Sequence, residues 1–189
     1  AYRPVKEMNT YWAEHPLYNP IDDEYYSSAT RIFHNGSIKS GGCWYGAWTN
    51  MCSDQRHSLT IDGHPVVYVD VNGMILSILS CLTGKPMNMI GVWDDVYQRV
   101  VCQIPNITNA RNMVKDVIME LTGTGNPYKD QPSSDSKTLH DVEQFKHIRD
   151  LCLEVYPALK CLDKGRLNFS NELSYHEANI LTETLLRLK

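Results

Sequence analysis

VVYVDVNGMILSIL, residues 66–79, decides the fold class of this chain. Val66-Val67-Tyr68-Val69 is a short apolar run of the kind that forms a buried strand, and it ends at one acid, Asp70. Asn72-Gly73 is turn chemistry, and Met74 to Leu79 then carries apolar residues at helical spacing up to Gly84, a C-cap signal. The order strand, carboxylate, turn, helix gives Asp70 three readings. It caps the following helix, it makes a salt bridge, or it holds a divalent ion, for which hard carboxylate oxygens on a rigid strand end are suited.

Upstream, SLTIDGHPVVYVD predicts a hairpin, with Ser58–Ile61 outgoing, Asp62-Gly63-His64 as the turn and Pro65–Asp70 returning. RIFHNGSIKSGGCWYGAWTN, residues 31–50, has glycines among aromatics and predicts strands with tight turns. Residues 1–30 read as an irregular arm with one short helix. Downstream, VWDDVYQRVVCQI predicts a helix opening near Asp94. TNARNMVKDVIMELTG predicts a second, with Thr108 or Asn109 as N-cap, an apolar stripe of Met113, Val114, Val117, Ile118 and Leu121, and Gly123 past its end. A polar loop over 124–138 precedes helices near 140–156 and 171–188, with GRLNF between them as a short strand or turn. The sum is an α/β (α+β) chain, a small antiparallel sheet with helices packed behind it. The predicted divisions are 1–30 (arm), 31–123 (core), 124–138 (polar loop) and 139–189 (helical C-terminal part).

The chain has 189 residues, is 42% hydrophobic and carries a net charge of −4, enough to bury a core and too acidic to coat nucleic acid by bulk charge. No apolar run approaches the ~20 residues of a membrane span. Six scattered cysteines read as reduced core residues, which, with no targeting signal, points to the cytoplasm. The sequons at Asn35, Asn106 and Asn168 carry no weight in that compartment. No zinc spacing, phosphate loop or nucleophile elbow is present.

Three further groups carry chemistry. Arg111 and Lys115 stand four apart on a predicted helix, hence on one face, where two cations either clamp a polyphosphate or form a solvated basic face. In GGCWYGAW, Trp44, Tyr45 and Trp48 either offer stacking surfaces or pack under a hairpin. His140-Asp141 opens a predicted helix and reads as structural.

Taken in order, GG-x-x-YG-x-W, Arg56 before LTIDG, VVYVD-x-x-G and R-x-x-x-K resemble the palm and fingers of single-subunit right-hand polymerases. This group holds the phage-type RNA polymerases, the bacterial repair DNA polymerases and their phage or plasmid relatives. The likeness spans roughly residues 31–120. It implies that Asp70 is catalytic and binds magnesium, that Arg111 and Lys115, with Gly73, bind the nucleoside triphosphate, and that Arg56, Lys39, Tyr45 and Trp48 contact nucleic acid. It also implies a phage or mobile-element context. Gly42-Cys43-Trp44-Tyr45 stands where the family has G-R-x-Y, so Cys43 replaces an arginine. The fingers helix ends in Leu121-Thr122-Gly123, also off pattern. The family's second metal-binding aspartate, in a His-Asp hairpin, has no counterpart here. The implied activity is therefore a magnesium-dependent nucleotidyltransferase module, DNA or RNA polymerase-like, that needs a further segment or a second polypeptide. The alternative is a non-catalytic descendant that binds nucleic acid or protein.

Overall fold

Helical spacing in the second half of the chain translates directly into helices, and the strands gather in the first half. The structure is a computed structural model that describes residues 2–87, 95–105, 107–136, 138–163 and 169–189. The expected helix start near Asp94, the sequons at Asn106 and Asn168 and the segment 164–168 lie outside the described residues. The fold is α+β. It divides into two compact units, Ala1–Asp70 with Ser174–Lys189, and Val71–Leu173.

In the first unit, helix α1 (Arg3–Glu14) fills much of the segment read as an irregular arm. Pro4 presets the first turn, and Arg3 pairs with Glu7 one turn on at 2.9 Å. Val5, Met8 and Trp12 line one face and join a cluster with Ala29 and Trp44. The helix stops at His15, ahead of Pro16.

Strands β1 (Leu17–Asn19), β2 (Glu24–Tyr26), β5 (Thr60–Ile61) and β6 (His64–Pro65) form an antiparallel sheet in the order β2-β1-β5-β6. β3 (Ala29–Phe33) and β4 (Gly41–Gly46) form a separate hairpin, with Arg31 opposite Trp44 and Ile32 opposite Cys43. Gly42 has φ +86°, and a Cβ there would lie 2.7 Å from Arg31 Nη2, so both conformation and space demand glycine. Arg31 is buried; its Nε–H donates to Gly42 O (2.5 Å), Nη1 to Tyr2 Oη (3.3 Å) and Nη2 to Asn179 Oδ1 (3.1 Å). The rings of Tyr2, Phe33 and Trp44 surround the guanidinium at 5.1–5.9 Å.

The expected long strand Pro65–Asp70 does not form. Asp62-Gly63 makes the predicted turn, and Val66 N–H still bonds Leu59 O at 3.2 Å, but helix α2 (Ser53–Ser58) ends where the partner strand would continue. Residues 66–70 therefore run on without a ladder, with Val67 84% and Val69 80% exposed. A strand needs a neighbour to pair with, and α2 removes it.

The second unit is helical. α3 (Met74–Thr83) ends at Gly84, as its spacing predicts. Short α4 (Gln98–Val101), α5 (Ala110–Thr124) and α6 (Val142–Val155) follow. α5 starts after Asn109 but runs through Gly123 and is capped at Gly125, which takes the left-handed conformation. α6 is capped by Asp141, whose Oδ1 accepts Gln144 N–H at 2.7 Å. This is the structural role predicted for His140-Asp141. The helix ends before Pro157.

The loop over 124–138 is tied down. Glu120 accepts from Lys129 (2.5 Å) and from Ser133 N–H (2.9 Å), and Thr138 donates to Asp116 at 2.5 Å. α7 (Phe169–Leu188) contributes Phe169 and Leu173 to the core of the second unit, and Ser174 onward belongs to the first. All six cysteines are free, but only Cys152 is buried, whereas Cys52, Cys81, Cys102 and Cys161 are exposed, against the expectation of core residues. Periodicity assigned them to apolar elements without fixing which face they occupy. No helix of the described residues is long and apolar enough to cross a membrane.

Candidate nucleotide and metal site

Helix α5 presents its two cations as the i, i+4 spacing requires. Ala110, Val114, Val117, Ile118 and Leu121 are buried, and Arg111 and Lys115 are exposed at the border of that face, on the stripe that continues into buried Ile118 and Thr122. Arg111 is engaged: Nε lies 2.5 Å from Asp95 Oδ2 and Nη2 lies 3.4 Å from Asp95 Oδ1. The Tyr97 ring sits under the guanidinium, 5.0 Å from Cζ to the centroid. Lys115 makes no ion pair among the described residues.

Gly73 holds the start of α3. It occupies the N-cap position at φ +65°, and a Cβ there would lie 2.6 Å from Val96 Cγ2. Any side chain would strain the backbone and collide with Val96, which accounts for the glycine of D-x-x-G by packing alone. With Gly73 at the cap, Asp70 does not cap α3, and it makes no salt bridge among the described residues. The capping reading is thereby removed, and the salt-bridge reading finds no partner among the described residues.

Asp70 is exposed in the first unit, and its charge acts on Glu177 of α7. Burial, and then the negative charge of Asp70, hold the Glu177 carboxyl above its ordinary range. Glu177 in turn acts on Cys43, whose thiol is pushed up by burial first and then by that carboxylate. Cys43 thus lies near one acid, Glu177, and also feels the charge of Arg31. Nothing in the spacing of Glu177, more than a hundred residues from Asp70, signals this neighbourhood. The reading of 171–188 marked only a helix.

Among the described residues no group of three or more His, Cys, Asp or Glu is placed to hold a metal. Asp70 and Glu177 are the two acids of the first unit that feel each other's charge; magnesium keeps several waters and takes one or two protein carboxylates along with substrate phosphates.

The nucleic-acid candidates fare unequally. Lys39 is exposed in the β3–β4 turn, and Tyr45 is 44% exposed on β4, alternating with buried Trp44. Arg56, on α2, lies over the Tyr68 ring at 5.4 Å. Trp48 is part of the aromatic cluster. It meets Trp12 edge-on at 5.4 Å and closes over Gly46, so its ring is not a free stacking surface. Buried Trp44 donates from Nε1 to Thr182 Oγ1 at 2.9 Å.

These features define an α+β protein with two exposed cations one turn apart on one helix and two acids in the first unit that feel each other's charge. No protein-family model matches the chain, and no curated protein or solved structure matches it either.

Proposed function

We propose that this chain is a magnesium-dependent nucleotidyltransferase module of the DNA or RNA polymerase type, acting in the cytoplasm, whose activity needs a further segment or a second polypeptide. One observation carries the reading. Arg111 and Lys115, one turn apart, are both exposed on a helix that packs against the core, in the order after Asp70-x-x-Gly73 that right-hand polymerases use.

In this reading Arg111 grips phosphate oxygens through its planar fork, and Lys115 adds a mobile point charge. Tyr97 holds the plane of the guanidinium. Asp70, whose charge Glu177 feels, would hold magnesium. When bound, the ion lowers the pKa of an attacking hydroxyl and neutralises charge on the transferring phosphoryl group. Lys39, Tyr45 and Arg56 contact nucleic-acid backbone and bases. Trp48 drops from that set because its ring is packed. Asp70 supplies the first of the two metal-binding aspartates that the resembled family uses, so the partner that completes the module brings the second.

The test is a titration of the chain with a nucleoside triphosphate, with and without magnesium and with and without primer–template. Support is binding that tightens with magnesium and loses that gain in Asp70→Asn. A second reading, a non-catalytic nucleic-acid-binding descendant, is favoured by Cys43 in place of arginine. It predicts primer–template binding that Asp70→Asn leaves unchanged and no magnesium-dependent gain.

A further inference from the structure

We propose that Asp95 is a built-in competitor for the polyphosphate clamp: its carboxylate occupies Arg111 in the free protein and must be displaced before a polyphosphate can use that guanidinium. The inference rests on reading Arg111 and Lys115 as polyphosphate ligands, and it adds a regulatory contact to that site.

Three observations carry it. The Asp95 carboxylate takes the Nε and Nη2 edge of Arg111, at 2.5 Å and 3.4 Å, which is an edge a phosphate would use. That carboxylate is itself held in place, because Asp95 Oδ1 also accepts Tyr97 N–H at 3.1 Å, while the Tyr97 ring supports the guanidinium from below. The competing anion is therefore fixed by backbone next to the cation. The pair is also wet, with the side chains of Arg111 and Asp95 48% and 30% exposed, so it is exchangeable. Lys115, one turn further on, has no such partner among the described residues, so the clamp is half occupied and half open.

A polyanion would engage Lys115 first and then contend with Asp95 for Arg111. Once bound, it would face the Asp95 charge at close range, and like charges set side by side oppose binding. Asp95 thereby lowers affinity for any anion that does not outcompete a carboxylate.

Asp95→Asn tests this effect, since asparagine keeps an Oδ1 acceptor for Tyr97 N–H and replaces the charged Oδ2 that holds Arg111 Nε–H with a neutral NH2 group. The probe is inorganic tripolyphosphate, titrated calorimetrically at low ionic strength. Asp95→Asn should bind it about fivefold more tightly than wild type, the gain shrinking with added salt. In the Asp95→Asn background, adding Arg111→Gln should abolish the gain. Unchanged or weaker binding by Asp95→Asn overturns the proposal, and weaker binding would make Asp95 a positioning residue. If Arg111→Gln and Lys115→Gln lose affinity while Asp95→Asn gains none, only the competition falls. If those two variants bind as wild type does, the clamp reading fails as well. An independent readout uses wild type: the Arg111 Nε–H nuclear magnetic resonance should shift as tripolyphosphate saturates the protein. A resonance that stays in place at saturation contradicts displacement.

Discussion

Val114, Val117, Leu121, Leu139, Phe145, Ile148 and Leu159 are fully withdrawn from water in the second unit, whereas the buried apolar cluster of the first consists of Met8, Ala29 and Trp44. The first unit makes up the difference with polar ties between distant parts of the chain. Asn9 exchanges two hydrogen bonds with the Ala29 backbone at 2.9 Å and 3.0 Å. Arg31 reaches Asn179, Trp44 reaches Thr182, and Lys189 reaches Glu7. Packing distributes stability over many small contacts, while polar ties concentrate it in a few directional ones, each expensive to leave unmatched. The candidate acids lie in the unit held by ties, and the cation pair rides on a helix of the packed unit.

The largest test of this contrast is Phe145→Ala. Deleting a fully buried ring should cost about 3–5 kcal/mol, read by denaturant unfolding, with hydrogen exchange quickening throughout α5 and α6. A loss under about 1 kcal/mol would show that the second unit is loosely packed. Arg31→Ala comes next. It strips three acceptors of a buried donor and should cost about 2–3 kcal/mol, with exchange concentrated in the β3–β4 hairpin. Exchange that rises equally in both units would erase the distinction.

Trp44→Phe is milder. An aromatic ring is kept and the bond to Thr182 is lost, while Thr182 still donates to Ala178 O at 2.6 Å, so about 1 kcal/mol is expected from the same unfolding measurement.

Glu177→Gln should have the smallest effect and the opposite sign. The folded-state pKa of Glu177 is raised, so the protonated carboxyl is the form the fold favours. Its contribution is complete below the unfolded carboxylate value of 4.5 and is lost as pH rises through the folded value. The glutamine side chain cannot ionise. The variant should therefore raise Tm by about 1–3 °C at pH 7–8, allowing for solvent screening of a half-exposed group, and leave Tm unchanged at pH 4. A stabilisation independent of pH would remove Asp70 and burial as its cause.

Helices are local, and the spacing of apolar residues was enough to read α3, α5 and α6. The i, i+4 rule placed Arg111 and Lys115 correctly because it depends only on helix geometry. Strands depend on neighbours. Val66–Asp70 reads as a strand by composition, yet it lacks a ladder because α2 ends at Ser58 where its partner would run. The glycine–aromatic block left two readings open, and tertiary packing divided them, turning Trp44 and Trp48 inward and Tyr45 out. Asp95 and Glu177 were not legible as parts of a site. Each acts through a partner distant in sequence, Arg111 and Asp70, which no window of adjacent residues contains.

The central claim is that α5 carries a polyphosphate clamp. Calorimetric titration of a magnesium–nucleoside triphosphate into wild type and into the Arg111→Gln/Lys115→Gln double variant tests it most directly. Removing two charge-assisted contacts should weaken binding at least about thirtyfold while Tm stays within about 2 °C of wild type. Equal affinity in the two proteins, or no measurable binding by wild type, would contradict it.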